Sequence, residues 1–312
     1  MFKISVIVPF YNKEKTAHKT FNSLINQTIF KYMELICIDD CSKDNTFKIM
    51  SEYAKRYPNN IKIFKNEKNL KVYKTKLRGI KYATGDYIGF IDVDDWVDKG
   101  YYEELYNEAI RTGADIVQTD AVYMYFGKNK PLKHSKELSL RVPNGANKIN
   151  SAFVNSYCVD VPAYIVWLCL FKKEILKPCV RLPPYENIDL IEDMVILLDC
   201  IFRADTMAGY NGTNFYYYDF SDEVEHETNA RRSDNRLRDT CYSISFSLLD
   251  SVLISSDNLQ YKPALDKIKS VHRYWRTNEF NKLFTKKENY NGKTNFFIPR
   301  YLVECARYWG SC

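Results

Sequence analysis

The sequence predicts an α/β fold, a doubly wound and mostly parallel Rossmann-like sheet followed by a helical C-terminal extension. Three observations predict it. Short β-branched apolar runs recur without the alternation of half-exposed strands, as strands buried on both faces require. Segments with apolar residues at helical spacing lie between them. The runs end in polar or acidic turns, and in such sheets ligands bind outside the carboxyl ends of the strands.

Lys3 to Phe10 (KISVIVPF) is the first strand and ends in the turn cluster Tyr11, Asn12, Lys13. Residues 14–28 place Ala17, Phe21, Leu24 and Ile25 at helical spacing. Glu34 to Asp40 (ELICIDD) is the second strand, and Ser42, Asp44, Asn45 and Thr46 offer caps for a helix from about 45 to 57. Ile61 to Phe64 is a third strand, and Leu70 to Ala83 a helix. Gly85 opens the fourth strand, GDYIGFIDVDDWVD, whose apolar run drives into Asp92, Asp94 and Asp95. After Tyr102 a helix closes at Gly113, and Ala114 to Tyr125 reads as one further strand. Residues 127–151, polar and holding Pro131, Pro143 and Gly145, read as an irregular insertion. Pro162 to Leu176 is apolar, then basic. Leu190 to Ala204 is a helix with Ile191, Val195, Leu198 and Phe202 near one face. Its first turn carries Glu192 and Asp193, where the helix dipole favours acids. Phe215 to Phe220 is a strand, Asn235 to Ser256 is helical, and short helices with loops complete the chain.

Hydrophobic residues at 46% and charged residues at 27% suit a soluble globular protein of 312 residues with a sizeable core. The nine cysteines are scattered without a CxxC pair, which argues against a disulfide framework or zinc ribbon and fits a reducing cytoplasm. The first residues enter a strand without a leader pattern, and no run reaches the roughly 18 to 20 apolar residues of a membrane span. The expectation is a cytoplasmic chain. Its net charge of +6 is uneven, because residues 259–312 hold eleven Lys/Arg against four Asp/Glu. Aromatics such as Tyr274, Trp275, Phe296 and Trp309 interleave with that charge. Two readings stay open for this tail: a peripheral foot on the anionic inner face of the cytoplasmic membrane, or a solvated helical surface of biased composition. Nucleic acid is not an expected partner.

Desolvated carboxylates repel each other, so acids at a buried strand end need a positive partner. Mg²⁺ or Mn²⁺ carrying a phosphorylated ligand meets that need, since hard cations take oxygen ligands and leave positions for phosphate. The bland alternative is a solvated acidic turn. The strand-end rule brings Tyr11/Asn12/Lys13, Asp39/Asp40 and Asp92/Asp94/Asp95 to one cleft. There is no GxGxxG, no P-loop and no nucleophile elbow, and the four histidines form no HExxH. Phosphate is therefore left to metal and basic side chains.

These residues resemble a family 2 glycosyltransferase of the GT-A fold, an inverting, nucleotide-sugar-dependent group. The resemblance runs through ISVIVPFYN (Ile4 to Asn12), IDDCSKDNT (Ile38 to Thr46), DVDD (Asp92 to Asp95), VWLCLFKKEIL (Val166 to Leu176), IEDMVILLDCIFRA (Ile191 to Ala204) and FYYY (Phe215 to Tyr218). It spans about residues 1 to 230. It implies a catalytic domain over 1–230, with a nucleotide-binding half to about 125 and an acceptor half over 126–230, and an extension over 231–312. The nucleotide-binding set it implies is Pro9, Tyr11, Asn12, Asp39, Asp40, Lys76, Asp92, Val93 and Asp94. Within it Tyr11 and Asp40 hold the base, by stacking and by accepting a ring N–H, as uracil offers, and Asp39 supports them. Asp94 and Asp95 are the metal-side candidates for Mn²⁺ or Mg²⁺. Asp193 is implied as the catalytic base, beside Glu192, although the pair alone also reads as a helix cap. His226 stays open as an extra metal or phosphate ligand, or as merely exposed. Tyr216, Tyr217 and Tyr218 read as sheet packing, and Trp167 as core in a neighbourhood that often faces the acceptor.

The resemblance thus implies transfer of one sugar from a nucleotide sugar, UDP-linked by expectation, to a glycan or lipid-linked acceptor in capsule, lipooligosaccharide or related surface-polymer synthesis. Asn69 to Gly79 (NLKVYKTKLRG) departs from the family's N-x-G-x-x-x-A-R-N-x-G: Lys71 replaces the first glycine, Lys76 the arginine and Leu77 the second asparagine. Lys76 keeps a charge but loses the bidentate fork, and Arg78 is a possible substitute. Cys41 also stands where glycine is commoner. A rival reading is a non-catalytic nucleotide-sugar-binding assembly subunit. A processive synthase is disfavoured by the lack of QxxRW, and a sugar nucleotidyltransferase by PFYNKEK where a glycine-rich loop belongs.

Overall fold

A computed structural model describes residues 2–119, 122–125, 133–134, 142–154, 165–181, 192–219, 244–251, 253–254 and 259–276. The first half runs β1 (Ile4–Phe10), α1 (Ala17–Ile25), β2 (Met33–Asp39), α2 (Thr46–Arg56), β3 (Ile61–Lys65), α3 (Lys71–Tyr82), β4 (Tyr87–Phe90), β5 (Trp96–Val97) and α4 (Tyr101–Thr112). Next come β6 (Ile116–Thr119), β7 (Val122–Tyr125), β8 (Lys133–His134), β9 (Gly145–Lys148), α5 (Ser151–Val154) and β10 (Cys169–Lys172). Then follow α6 (Lys173–Leu176), α7 (Glu192–Arg203), β11 (Thr206–Tyr210) and β12 (Tyr216–Asp219). Helical residues 244–251 and the helix Lys262–Arg276 follow.

The large sheet has eight strands in the order β3-β2-β1-β4-β10-β6-β11-β9. β1 pairs in parallel with β2 and β4, and β2 with β3. Every residue of β2 is buried, as is every residue of β1 except Pro9, which is why these runs show no alternation. The register Phe10↔Asp39↔Lys65 sets the carboxyl ends of β1, β2 and β3 level. The far half is mixed: β10 lies antiparallel between β4 and β6, and β9 closes the edge against β11.

Three expectations change. The single strand over 114–125 is two, β6 in the large sheet and β7 in a second, four-stranded sheet ordered β5-β12-β7-β8. The insertion over 127–151 contributes β8 to that small sheet and β9 to the large one. In α7 burial is not confined to one face, since Met194 through Phe202 are all buried, and Phe202 stacks on Tyr261 at 5.5 Å. Leu248, Leu249, Leu253, Leu265 and Ile268 are buried too, so the described part of the extension shares the core. The boundary at 230, His226, and residues 277–312 of the basic tail lie outside the described residues. Among the described residues no helix is long and apolar enough to cross a membrane.

β2 carries a buried acid, Glu34, that fastens β1, β3 and the entry to β4. It accepts from Ser5 Oγ (2.5 Å), Lys62 Nζ (2.6 Å), Thr84 Oγ1 (2.7 Å) and Gly85 N (3.2 Å). Burial acts to raise its pKa, yet the bonds from Lys62, Ser5 and Thr84 outweigh it and hold the carboxyl below its ordinary value. Gly85 must pass close to β1 for this: a Cβ there lies 2.7 Å from Ser5 N and 2.8 Å from Ile4 C. Backbone cannot yield as a side chain does. Gly85→Ala is expected to destabilise the chain by about 2 kcal/mol, read as a shifted midpoint in urea unfolding; an unchanged midpoint contradicts this packing.

Candidate active site

The site begins with two turns bolted together. After β1, Asn12 N donates to Ser42 Oγ (2.9 Å), Lys13 N to Thr46 Oγ1 (2.7 Å) and Glu14 N to Asp44 Oδ2 (3.1 Å). In return Lys43 N donates to Asn12 Oδ1 (2.8 Å). Asn12 and Cys41 sit at φ 52° and 65°, a left-handed conformation that costs a non-glycine residue roughly 1–2 kcal/mol. The Asn12 side chain, predicted to bind nucleotide, therefore braces the loop. Tyr11 is half-buried beside it.

The two acids ending β2 divide in a way adjacency alone does not reveal. Asp40 Oδ1 accepts from Asn66 Nδ2 and Leu70 N, both at 2.7 Å, and Oδ2 from Lys71 N at 2.8 Å. It caps α3, and Lys71 at φ 69° is the left-handed residue that lets the backbone reach it. Asp39 is fully buried. Its Oδ1 accepts from Ser42 N (3.1 Å), but its Oδ2 has no hydrogen-bond partner among the described residues, with Lys65 Nζ 3.7 Å away. Of this pair, Asp39 thus holds the carboxylate oxygen without a hydrogen-bond partner among the described residues, sealed from solvent beside Lys65, while both oxygens of Asp40 are engaged at α3.

The DVDD turn divides similarly. Asp92 and Asp94 face the cleft, and Lys13 Nζ meets Asp94 Oδ2 at 2.9 Å. Asp95, predicted to face a metal, is fully buried. It accepts from Tyr216 Oη (2.6 Å) and Asp219 N (2.8 Å) and so ties the turn to the small sheet. Burial, with Asp94 and Asp92 nearby, pushes its carboxyl well up. Val93 is core, its carbonyl accepting from Thr20 Oγ1 (2.9 Å), so its side chain leaves the predicted nucleotide set.

Across the cleft stands the first turn of α7. Lys76, expected at the phosphates, reaches it instead, donating to Asp193 Oδ1 (2.6 Å) and Glu192 Oε1 (3.2 Å), with Asp92 Oδ1 at 4.0 Å. Its side chain is 2% exposed. Burial pushes Asp193 up to about 6, Lys76 opposing and Glu192 adding. Asp92 is likewise pushed up to about 6 by burial, with Lys76 opposing and Asp193 and Asp94 adding. The three carboxylates more than offset burial for Lys76 and hold its pKa above the ordinary value. Arg78 donates to Lys65 O (3.0 Å) and to Asn66 Oδ1, so it does not substitute at this cluster. Trp167 lies against Tyr216 and Tyr218, with ring centroids at 4.3 and 5.6 Å.

Among the described residues no three His, Cys, Asp or Glu form a group that could hold a metal. A magnesium-like ion needs no such cage when one or two carboxylates and substrate phosphates suffice. Asp94, with Asp92 beside it, fits that limited role; Asp95 does not. Lys13, brought to the cleft by the strand-end rule but given no role there, is the cation that meets Asp94.

The profile of Glycosyl transferase family 2 matches residues 5–178. The chain is 29% identical over 260 residues to the minor teichoic acid biosynthesis protein GgaB of Bacillus subtilis, covering 80% of this chain and 27% of GgaB. It is 30% identical over 228 residues to the cholesterol galactosyltransferase of Borreliella burgdorferi, covering 70% of this chain and 60% of that protein. The chain thus spans under two thirds of both relatives. Among solved structures, S. aureus TarS residues 1–349 in complex with UDP superposes with a TM-score of 0.65 at 20% identity, over 92% of this chain and 76% of that one.

The divided acids predict divided phenotypes. Asp95→Ala leaves Tyr216 Oη and Asp219 N without their partner, a loss of about 1–3 kcal/mol. Asp94→Ala leaves the fold intact. Denaturant midpoints that fall for Asp94→Ala and not for Asp95→Ala contradict the assignment.

Proposed function

The chain belongs to glycosyl transferase family 2, and from that membership we propose an inverting transferase. It moves one sugar from a UDP-sugar to a hydroxyl of a bacterial surface-polymer acceptor, with Asp193 as general base. One observation carries this reading. A single ammonium, Lys76 Nζ, lies 2.6 Å from Asp193 and 4.0 Å from Asp92, so the acids after β4 and those opening α7 share one cleft. The relatives named for teichoic acid and galactosyl transfer, and the UDP in the TarS structure, support the polymer and the donor.

In this reaction Asp193 takes the acceptor's hydroxyl proton. The oxygen attacks the anomeric carbon from the face opposite the diphosphate, the new C–O bond forms as the old one breaks, and UDP departs with the electron pair. A carboxylate pushed up to about 6 suits the task, being ionised at neutrality yet more basic than an exposed aspartate. Tyr11 would stack on the base, and the acids ending β2, Asp39 and Asp40, would line its pocket, a carboxylate oxygen taking the ring N–H of uracil. Lys13 is the cation placed to meet the phosphates.

The cleft carries the carboxylates Asp92, Asp94, Glu192 and Asp193 against the ammoniums Lys13 and Lys76. An anionic diphosphate entering that excess of negative charge needs further positive charge. Mn²⁺ or Mg²⁺ bound with the nucleotide, held by Asp94 with Asp92, would supply it and neutralise the leaving diphosphate.

Two outcomes test the proposal. In a thermal-shift panel of UDP-, GDP- and dTDP-sugars with Mn²⁺, only UDP-sugars stabilise the protein and EDTA abolishes the shift. Asp193→Asn then retains UDP affinity while turnover falls by about 10²- to 10⁴-fold; intact turnover removes Asp193 as base, and nucleotide binding without turnover in the wild type leaves a non-catalytic binder. The sign of the pH dependence also follows. The base works ionised, so kcat/KM rises with pH through an apparent value near 6 that belongs to the coupled Asp92 and Asp193. A limb near 4, the value of an unperturbed aspartate, contradicts the burial argument.

A further inference from the structure

We propose that Lys76 is a positioning residue for the base, its ammonium clamping the Asp193 carboxylate between α3 and α7 instead of binding the donor's diphosphate. The proposal rests on the reading of Asp193 as base and adds the device that holds it.

Four observations carry it. The Lys76 side chain is closed off from solvent at 2% exposure, whereas Asp92, Glu192 and Asp193 around it are 34%, 14% and 17% exposed, so a ligand entering the cleft meets those acids before the ammonium. Two of its three N–H groups are directed to Asp193 Oδ1 and Glu192 Oε1, and Asp92 stands 4.0 Å away. It reaches from the middle of α3 to the first turn of α7 and so joins two helices more than a hundred residues apart in sequence. Among the described residues Asp193 has one other contact that fixes it, Val166 N at 3.5 Å from Oδ2. Without the lysine, Asp193 keeps only that long bond from Val166 N against the repulsion of Glu192 and Asp92.

The phosphate role falls instead to Lys13. Its ammonium lies on Asp94 at 2.9 Å, and its side chain is 23% exposed, open to the cleft. Arg78, the other cation of this helix near the site, is already engaged at Lys65 and Asn66.

The experiment uses the full chain and three proteins: wild type, Lys76→Met and Lys76→Arg. Affinity for UDP with Mg²⁺ is measured by calorimetry, and UDP release is followed from UDP-glucose, UDP-galactose and UDP-N-acetylglucosamine. Lys76→Met is expected to bind UDP within about threefold of wild type with donor KM no higher. Its kcat falls about a hundredfold, the scale of a ~1 Å misplacement at a reacting centre. Lys76→Arg restores at least about a tenth of wild-type kcat, since a charge at that point still meets the carboxylate. A loss of UDP affinity of about tenfold or more in Lys76→Met, with kcat intact at saturating donor, makes Lys76 a phosphate ligand and overturns the proposal. If Lys76→Met does not fold, the variant carrying both Lys76→Met and Asp193→Asn, neutral at both positions, takes the binding test: UDP affinity kept within about threefold supports the clamp, and a tenfold loss overturns it. Wild-type protein that binds no UDP overturns the transferase reading itself, a result distinct from any difference among the variants.

Discussion

One buried ammonium holds two acidic segments of this chain at a common edge. The Nζ of Lys76 lies within 4.0 Å of Asp92, Glu192 and Asp193, two segments about a hundred residues apart in the chain. At an effective dielectric constant near 20, each close opposite-charge contact is worth about 4 kcal/mol before desolvation. Like-charge repulsion among three carboxylates is of the same order. The cluster therefore exists because the lysine is there. Removing it would leave the partly buried acids of α7 to repel each other or to take up protons.

Around that charge the rest of the site is built from backbone already committed elsewhere. The turns after β1 and β2 interlock through Asn12, Lys13, Ser42 and Thr46, and α3 is fastened to the end of β2 by Asp40. Since α3 carries Lys76, a carboxylate at the base corner sets the height at which the ammonium meets α7. The small sheet works from the opposite side: Tyr216 and Asp219 hold Asp95 inside, and the alternation of the turn then leaves Asp92 and Asp94 outside. In the DVDD turn one carboxylate is therefore structural and its two neighbours face the cleft.

That division explains what was legible in the sequence and what was not. β1, β2 and α3 were readable because doubly buried parallel strands and the helices between them leave strong local patterns. β10 was not, since an antiparallel insertion into the middle of a sheet is as apolar as a parallel strand. β9 was hidden in a polar stretch because an edge strand pairs on one side only. The convergence of three strand ends followed from a general rule of open sheets. How Asp39 and Asp40 divide their hydrogen bonds, and which of Asp94 and Asp95 stays open, did not follow, because that turns on partners such as Asn66, Leu70 and Tyr216 that lie far along the chain. The partners of Lys76 on α7 lie more than a hundred residues away.

The departures from the family pattern become intelligible in the same terms. Cys41 and Lys71 stand where glycine is commoner, and both keep the left-handed backbone, at φ 65° and 69°. Each holds it at roughly 1–2 kcal/mol, and at Lys71 the conformation aims the backbone N–H at Asp40. At position 76 the change has a different character. Arginine's planar fork suits two parallel bonds to one carboxylate or phosphate, whereas an ammonium is a compact point charge with three diverging donors. A site that offers two separate carboxylates as acceptors, with a third 4.0 Å away, is matched to the lysine. The substitution that looks like weakened donor binding in the sequence is, in the fold, a fit to the acids it holds.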